Sequence, residues 1–220
     1  MLSILRSLVQ EVNSARDLQE ALDIIVSRVQ KAMGTEVCSV YLLDPATNRY
    51  ILMATEGLYR KAVGQVRLAY SEGLVGLVGS REEPINLEDA PSHPRYRYFP
   101  ETGEERFRSF LGVPIIHHRR VLGVLVVQQR ESSRCFDEGE EAFLVTVSAQ
   151  LAGVIAHSEA TGAISGLSLT GEEAHDVTFN GVPGAPGVAI GSGVVVYPSA
   201  DLDVVPEKPT DDIDKELALF

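Results

Sequence analysis

Two apolar runs stand four residues apart: Phe110-Leu-Gly-Val-Pro-Ile-Ile116 and Val121-Leu-Gly-Val-Leu-Val-Val127. No other feature constrains the fold as tightly. Short runs of β-branched and aliphatic residues, bounded by polar ones, read as buried strands. The intervening His117-His-Arg-Arg120 reads as a polar, solvated hairpin turn. More strands follow from the same signals upstream. Glu36 to Leu43 alternates, Asp44-Pro-Ala-Thr-Asn48 is a turn cluster, and Tyr50 to Thr55 returns as the partner strand. Val66 to Tyr70 reads as a third strand, and Ile85 to Ala90 as a brief strand leaving into a loop.

Elsewhere the period lengthens. Leu5, Leu8, Val9 and Val12, then Leu18, Leu22, Ile25, Val26, Val29 and Met33, repeat on a helical step. Asp17 or Ser14 can cap the second of these helices and Gly34 stops it. Gly73 to Gly79 is a tight turn into a short helix. A last helix begins at Phe136-Asp137, with Phe143, Leu144, Val147, Leu151, Val154 and Ile155 along one face. The expected fold is therefore α+β, an antiparallel sheet of five to six strands flanked by helices that pack on one face. The first and last helices both carry long apolar stripes, and a homodimer through them is the expectation.

Composition narrows the partners. Net charge is -12, from 31 acidic against 19 basic residues. Such a chain is repelled by the phosphate backbone, so nucleic acid is excluded as the expected partner. Two cysteines, Cys38 and Cys135, exclude a disulfide framework or a CxxC metal site. No uninterrupted apolar stretch approaches the ~20 residues that span a bilayer, and the N-terminus lacks a signal-peptide pattern. A cytoplasmic chain with no membrane partner is the expectation.

Several segments resemble the GAF family of small-molecule sensor domains: Gly73-Leu-Val-Gly-Leu-Val-Gly79, Asn86-Leu-Glu-Asp-Ala90, Ser109-Phe-Leu-Gly-Val-Pro-Ile115, Gly123-Val-Leu-Val-Val-Gln128 and Phe136-Asp-Glu-Gly-Glu140. The expected division is a GAF sensor domain over 1–160, a linker over 161–178, and a truncated β-rich segment over 179–220. That last segment opens Phe179-Asn-Gly-Val-Pro-Gly-Ala-Pro-Gly-Val-Ala-Ile-Gly-Ser-Gly-Val-Val-Val-Tyr197. It resembles the start of the Enzyme I family of the phosphoenolpyruvate-dependent phosphotransferase system. Its few apolar side chains cannot bury a core alone, so it reads as the beginning of an incomplete N-terminal domain.

These resemblances carry functional implications. In the Enzyme I family a histidine in a Gly-Ser-His-Ala context takes phosphate from phosphoenolpyruvate, with Mg²⁺, and an HPr-like phosphocarrier receives it. His93, His117, His118, His157 and His175 all lack that context, so the chain itself is expected to be catalytically inactive and to need no cofactor. A GAF domain ahead of such a start is the arrangement of nitrogen-related Enzyme I members. This implies tuning of histidine autophosphorylation by 2-oxoglutarate and glutamine.

The loop from Pro91 to Arg108 is the expected ligand site for a small anionic metabolite or amino acid. Arg95, Arg97, Arg106 and Arg108 crowd it beside His93 and Tyr96, with Asn86 and Asp89 in the turn before it. Guanidinium forks suit carboxylates. Two alternatives stay open. Ion pairs with Glu101, Glu104 and Glu105 explain the arginines without a ligand, and the domain can serve as a ligand-free dimerisation or interaction module. The loop has no cysteine for bilin attachment, His93 in its polar Pro-flanked setting does not suit haem, the residue set of cyclic-nucleotide-binding GAF domains is not found, and Gly73–Gly79 lacks the lysine and hydroxyl of a phosphate loop.

Overall fold

A computed structural model describes residues 2–103, 107–130 and 135–162. The chain divides into two units, 1–174 and 175–220, and every described residue belongs to the first. Apart from its first two residues the expected linker lies outside the described residues, as does the whole of 179–220.

Helices α1 (Leu2–Asn13) and α2 (Leu18–Met33) open the domain. Asp17 caps α2 by accepting from the backbone N–H of Glu20, and Gly34 ends it at a φ of 64°. That left-handed position suits a residue without a Cβ. Strands β1 (Val37–Asp44) and β2 (Arg49–Glu56) form the first hairpin, and β3 (Arg67–Ala69) pairs with β2. Helix α3 (Gly73–Arg81), strand β4 (Ile85–Leu87) and the loop follow. The long hairpin of β5 (Ser109–His117) and β6 (Arg120–Gln129) then leads to α4 (Glu138–Ala160). The six strands lie in the order β3-β2-β1-β6-β5-β4, antiparallel throughout.

One expectation needs correcting. The helices do not all pack on one face. On the first face Val40, Ile51, Val113, Leu125 and Val127 meet α1, α2 and α4. On the second, Tyr41, Tyr50, Phe110, Val124 and Val126 meet α3 and the loop. The reason is in the strands themselves: residues such as Val124-Leu125-Val126-Val127 point alternately to the two faces, and both faces are apolar. A sheet of that kind needs a cover on each side.

The close approach of α3 depends on two glycines. A Cβ at Gly79 would lie 1.8 Å from the Tyr50 hydroxyl oxygen, and one at Gly76 would lie 2.5 Å from the Ser71 carbonyl carbon. Opposite, α4 begins in a capping box: Asp137 accepts from the Glu140 N–H and Glu140 accepts from the Asp137 N–H. At 23 residues, with an 18-residue window of mean hydropathy 1.2, α4 has the length and composition of a membrane span. Its Phe143, Leu144, Val147, Leu151 and Ile155 are buried with the sheet residues, the arrangement of a core helix.

Candidate functional site

The loop that follows β4 folds over the second face of the sheet and is tied down along its length. Ala90 donates to the Arg108 carbonyl at 2.7 Å, and Arg108 donates to Gln129 at 2.7 Å. Tyr59 donates to the Thr102 carbonyl at 3.1 Å, and the buried Thr102 hydroxyl donates to Phe99 at 2.7 Å. Arg95 donates to the Ser71 carbonyl just ahead of α3. These bonds hold the loop to β6, to the β2–β3 connection and to the residues just ahead of α3, and a cleft of about 30 Å³ lies between loop and helix.

The floor of this cleft is Tyr41, Phe110, Val126 and Gln128 on the central strands; its walls are the first turn of α3 and the loop residues Tyr96, Arg97 and Phe99. Gln128 is only 5% exposed. Among the described residues its carboxamide has no hydrogen-bond partner, and it faces the cleft. The N-cap of α3, Glu72, makes no side-chain cap; its carboxylate accepts from the Ala69 N–H at 3.0 Å instead. The first-turn N–H groups of a helix lack intrahelical acceptors and carry partial positive charge. Gly73, Leu74 and Val75 of that turn line the cleft with Arg97, which has no ion pair among the described residues. The chemistry on offer is thus two positive elements, one amide and an aromatic floor.

The residues expected from sequence to form one site are distributed over several. Arg97 and Tyr96 line the cleft. Asp89, His93 and Arg108 line a second, open groove of about 680 Å³, shared with Glu88 and Arg130. There Arg108 pairs with Asp89 at 3.0 Å, and His93 Nδ1 accepts from the Arg95 N–H at 3.1 Å. Asn86 bridges β4 to the start of α4. Its Nδ2 donates to the Phe136 carbonyl at 2.9 Å and to Glu141 at 3.3 Å, and its Oδ1 accepts from the Phe136 N–H at 3.1 Å. Arg106 lies outside the described residues. Three contributors went unnoticed in sequence: Gln128, Arg130 and the first turn of α3. Gln128 had a readable signal, because counting by two from Val124 and Val126 places it on the same inward face.

Tyr50 has the other notable polar group. Its hydroxyl is buried beneath Gly79 with no hydrogen-bond partner, and burial raises its pKa. Cys38 is likewise buried and its thiol pKa raised, which makes it unreactive, whereas Cys135 is exposed. Among the described residues no group of His, Cys, Asp and Glu could hold a metal ion.

Comparisons with known proteins place this geometry. The GAF domain family matches residues 17–155. Curated relatives from Salmonella typhimurium and Escherichia coli, each named a phosphoenolpyruvate-dependent phosphotransferase system, are 51% identical over 193 residues. That match takes in 88% of this chain and 25% of theirs, so the chain spans about a quarter of the relatives' length. Among solved structures, the GAF domain of a phosphoenolpyruvate-protein phosphotransferase from Coxiella burnetii is 52% identical with a TM-score of 0.71, covering 74% of this chain and 96% of that one. Its counterpart from Acinetobacter is 52% identical with a TM-score of 0.67, covering 74% and 97%. The six-stranded sheet, its two covered faces and these matches together show that the chain belongs to the GAF family.

Proposed function

We propose that this chain is the regulatory front end of a cytoplasmic phosphoenolpyruvate-protein phosphotransferase, and that a small anionic nitrogen metabolite binds its sheet-face cleft. In this reading 2-oxoglutarate or glutamine controls autophosphorylation of a histidine outside this chain, which acts with Mg²⁺ and passes its phosphoryl group to an HPr-like carrier. The match over 193 of 220 residues necessarily includes residues 28–193, so it runs past the GAF domain into the segment that resembles Enzyme I.

The observation that carries the sensor reading is Gln128. Its side chain makes no hydrogen bond within the described residues and lines the cleft with Arg97 and the first turn of α3, whose N-cap makes no side-chain bond. A carboxylate on the positive end and an oxo or amide group on Gln128 would satisfy all three. The cleft of about 30 Å³ holds roughly one water, whereas small-molecule pockets run to about 300–1,000 Å³. A metabolite therefore enters only as Tyr96–Phe99 move away, and that displacement is the signal.

Calorimetric titration of the chain with 2-oxoglutarate and with glutamine tests this. Saturable binding weakened by about tenfold or more in Gln128→Leu and in Arg97→Ala is expected. No heat for either compound over several temperatures removes the sensor reading.

The closed cleft also favours a second reading, a ligand-free dimerisation module. Between Glu141 and Glu159 the sequence has no Asp, Glu, Lys or Arg, although Ala142, Val145, Thr146, Ala149 and Gly153 are exposed on α4. Val145 is 40% exposed, as is Ile4 on α1. An uncharged exposed face on an acidic chain suits a second copy.

A further inference from the structure

The tip of the β5–β6 hairpin departs from what its backbone favours. Only His118 and Arg119 separate the last paired residues, His117 and Arg120, and their φ values are 49° and 64°. A two-residue turn with both central φ positive strongly favours Asn-Gly or Asp-Gly, because a Cβ is strained there. Two long side chains have been placed where the turn disfavours them. Strain of that kind persists where the side chains themselves are needed.

Those side chains complete a run of four basic or titratable residues, His117-His118-Arg119-Arg120, half-buried at its start and exposed through the tip. The rings of His117 and His118 meet edge to face with centroids 4.1 Å apart. Arg119 has no ion pair among the described residues. Arg120 pairs with Glu159 in the last turn of α4. In a chain of net charge -12 this is a concentrated patch of the opposite sign, and it is coupled to the helix that ends the domain.

We propose that this hairpin tip is a docking point for a carboxylate-rich protein segment, whose acids take up Arg119 and compete with Glu159 for Arg120. Separate carboxylates along a peptide fit the patch better than one compact anion, because successive residues of the hairpin project their side chains in different directions. Guanidinium forks match carboxylates in bidentate geometry. A nucleic-acid occupant is opposed by the charge of the whole chain. The inference is independent of the cleft and survives if no metabolite binds there.

The test uses the full chain and a fluorescein-labelled hexaglutamate peptide, read by anisotropy at low salt. Saturable binding is expected, weakened roughly two- to fivefold by either Arg119→Ala or Arg120→Ala and suppressed by added salt. The double variant His118→Asn, Arg119→Gly supplies the second readout. It installs the favoured turn, so its melting temperature should rise by about 2–4 °C while peptide binding falls. A melting temperature that stays level or falls shows the turn is unstrained and overturns the premise. Equal weakening by a remote change such as Arg49→Ala shows only diffuse charge attraction and overturns the site. Competition by inorganic phosphate as strong as by unlabelled peptide overturns the choice of a protein segment.

Discussion

At the residue scale the second face of the sheet turns on one contact, Tyr50 beneath Gly79. The ring is fully buried and stacks on Tyr70 at 5.8 Å, yet its hydroxyl has no partner. Gly79→Ala places a methyl 1.8 Å from that oxygen and 2.7 Å from the ring carbon bearing it, so α3 must lift or the ring must shift. Overpacking of this kind costs about 1–3 kcal/mol. Tyr50→Phe removes an unsatisfied polar atom and should leave stability unchanged or raise it by up to about 1 kcal/mol. In the double variant the oxygen contact is gone but the ring carbon stays close, so roughly half of the Gly79→Ala loss should return. Urea melts of the four proteins check this; strict additivity would show that the two side chains do not meet.

A second residue-scale case is Asp44, which closes the β1–β2 turn. It accepts from the Thr47 hydroxyl at 2.6 Å and the Ala46 N–H at 3.0 Å. The Thr47 hydrogen bond holds its carboxyl below the usual Asp value. A lowered folded-state pKa contributes stability above the unfolded value of about 3.9, and that stability is lost as pH falls through the folded value. Asp44→Ala should therefore lower stability at neutral pH by about 0.5–1.5 kcal/mol, with the difference from wild type shrinking as pH drops below about 4. Thermal melts across that range give the answer, and a gap that is constant with pH would exclude the ionised carboxylate as its source.

At the scale of elements, much of the fold could be read in advance because its signals are local. Asp17 and Gly34 mark the ends of α2, the polar His117–Arg120 run marks the hairpin, and Phe136-Asp137 marks the start of α4. The face that α3 covers could not be read, because its seven buried residues repeat without helical periodicity and give no direction. The loop arginines resisted for a related reason. An aperiodic segment does not say where side chains point, so Arg97 at the cleft, Arg95 on a backbone carbonyl and Arg108 on Asp89 look alike in sequence. α4 carries the element-scale prediction. Its buried stripe was plain, and its exposed face is small and uncharged. Val145→Glu puts a charge on that face and leaves the core alone. Analytical ultracentrifugation should show a dimer shifting to monomer with the melting temperature of the folded unit little changed. A wild-type monomer at all concentrations would remove the dimerisation reading.

For the domain as a whole, the question is how a cleft on one face could report to α4 on the other. The sheet itself is a poor relay, since its central strands are close-packed on both faces. Asn86 offers a direct route. It lies on β4, four residues before the loop's first 3-10 turn at Ala90–Ser92, and its three hydrogen bonds hold Phe136, just ahead of α4, and Glu141 in the helix's first turn. In the sensor reading, a ligand that displaces Tyr96–Phe99 would pull on this strand, and the bracket would pass that pull to Phe136 and Glu141. Coupling of this sort is a free-energy difference between two arrangements, so it can be broken without breaking the binding site. Hydrogen exchange with and without bound metabolite separates the two. In wild type the Tyr59 amide, bonded to Thr102, should lose protection on binding, and the first turns of α4 should change with it. Asn86→Ala removes the three hydrogen bonds that tie β4 to Phe136 and Glu141 and should cost about 1–3 kcal/mol of stability. It should still bind the metabolite and expose Tyr59, but α4 should no longer respond. If α4 responds equally in both proteins, the signal crosses the sheet by another path; if Tyr59 keeps its protection while ligand binds, the loop is not what moves.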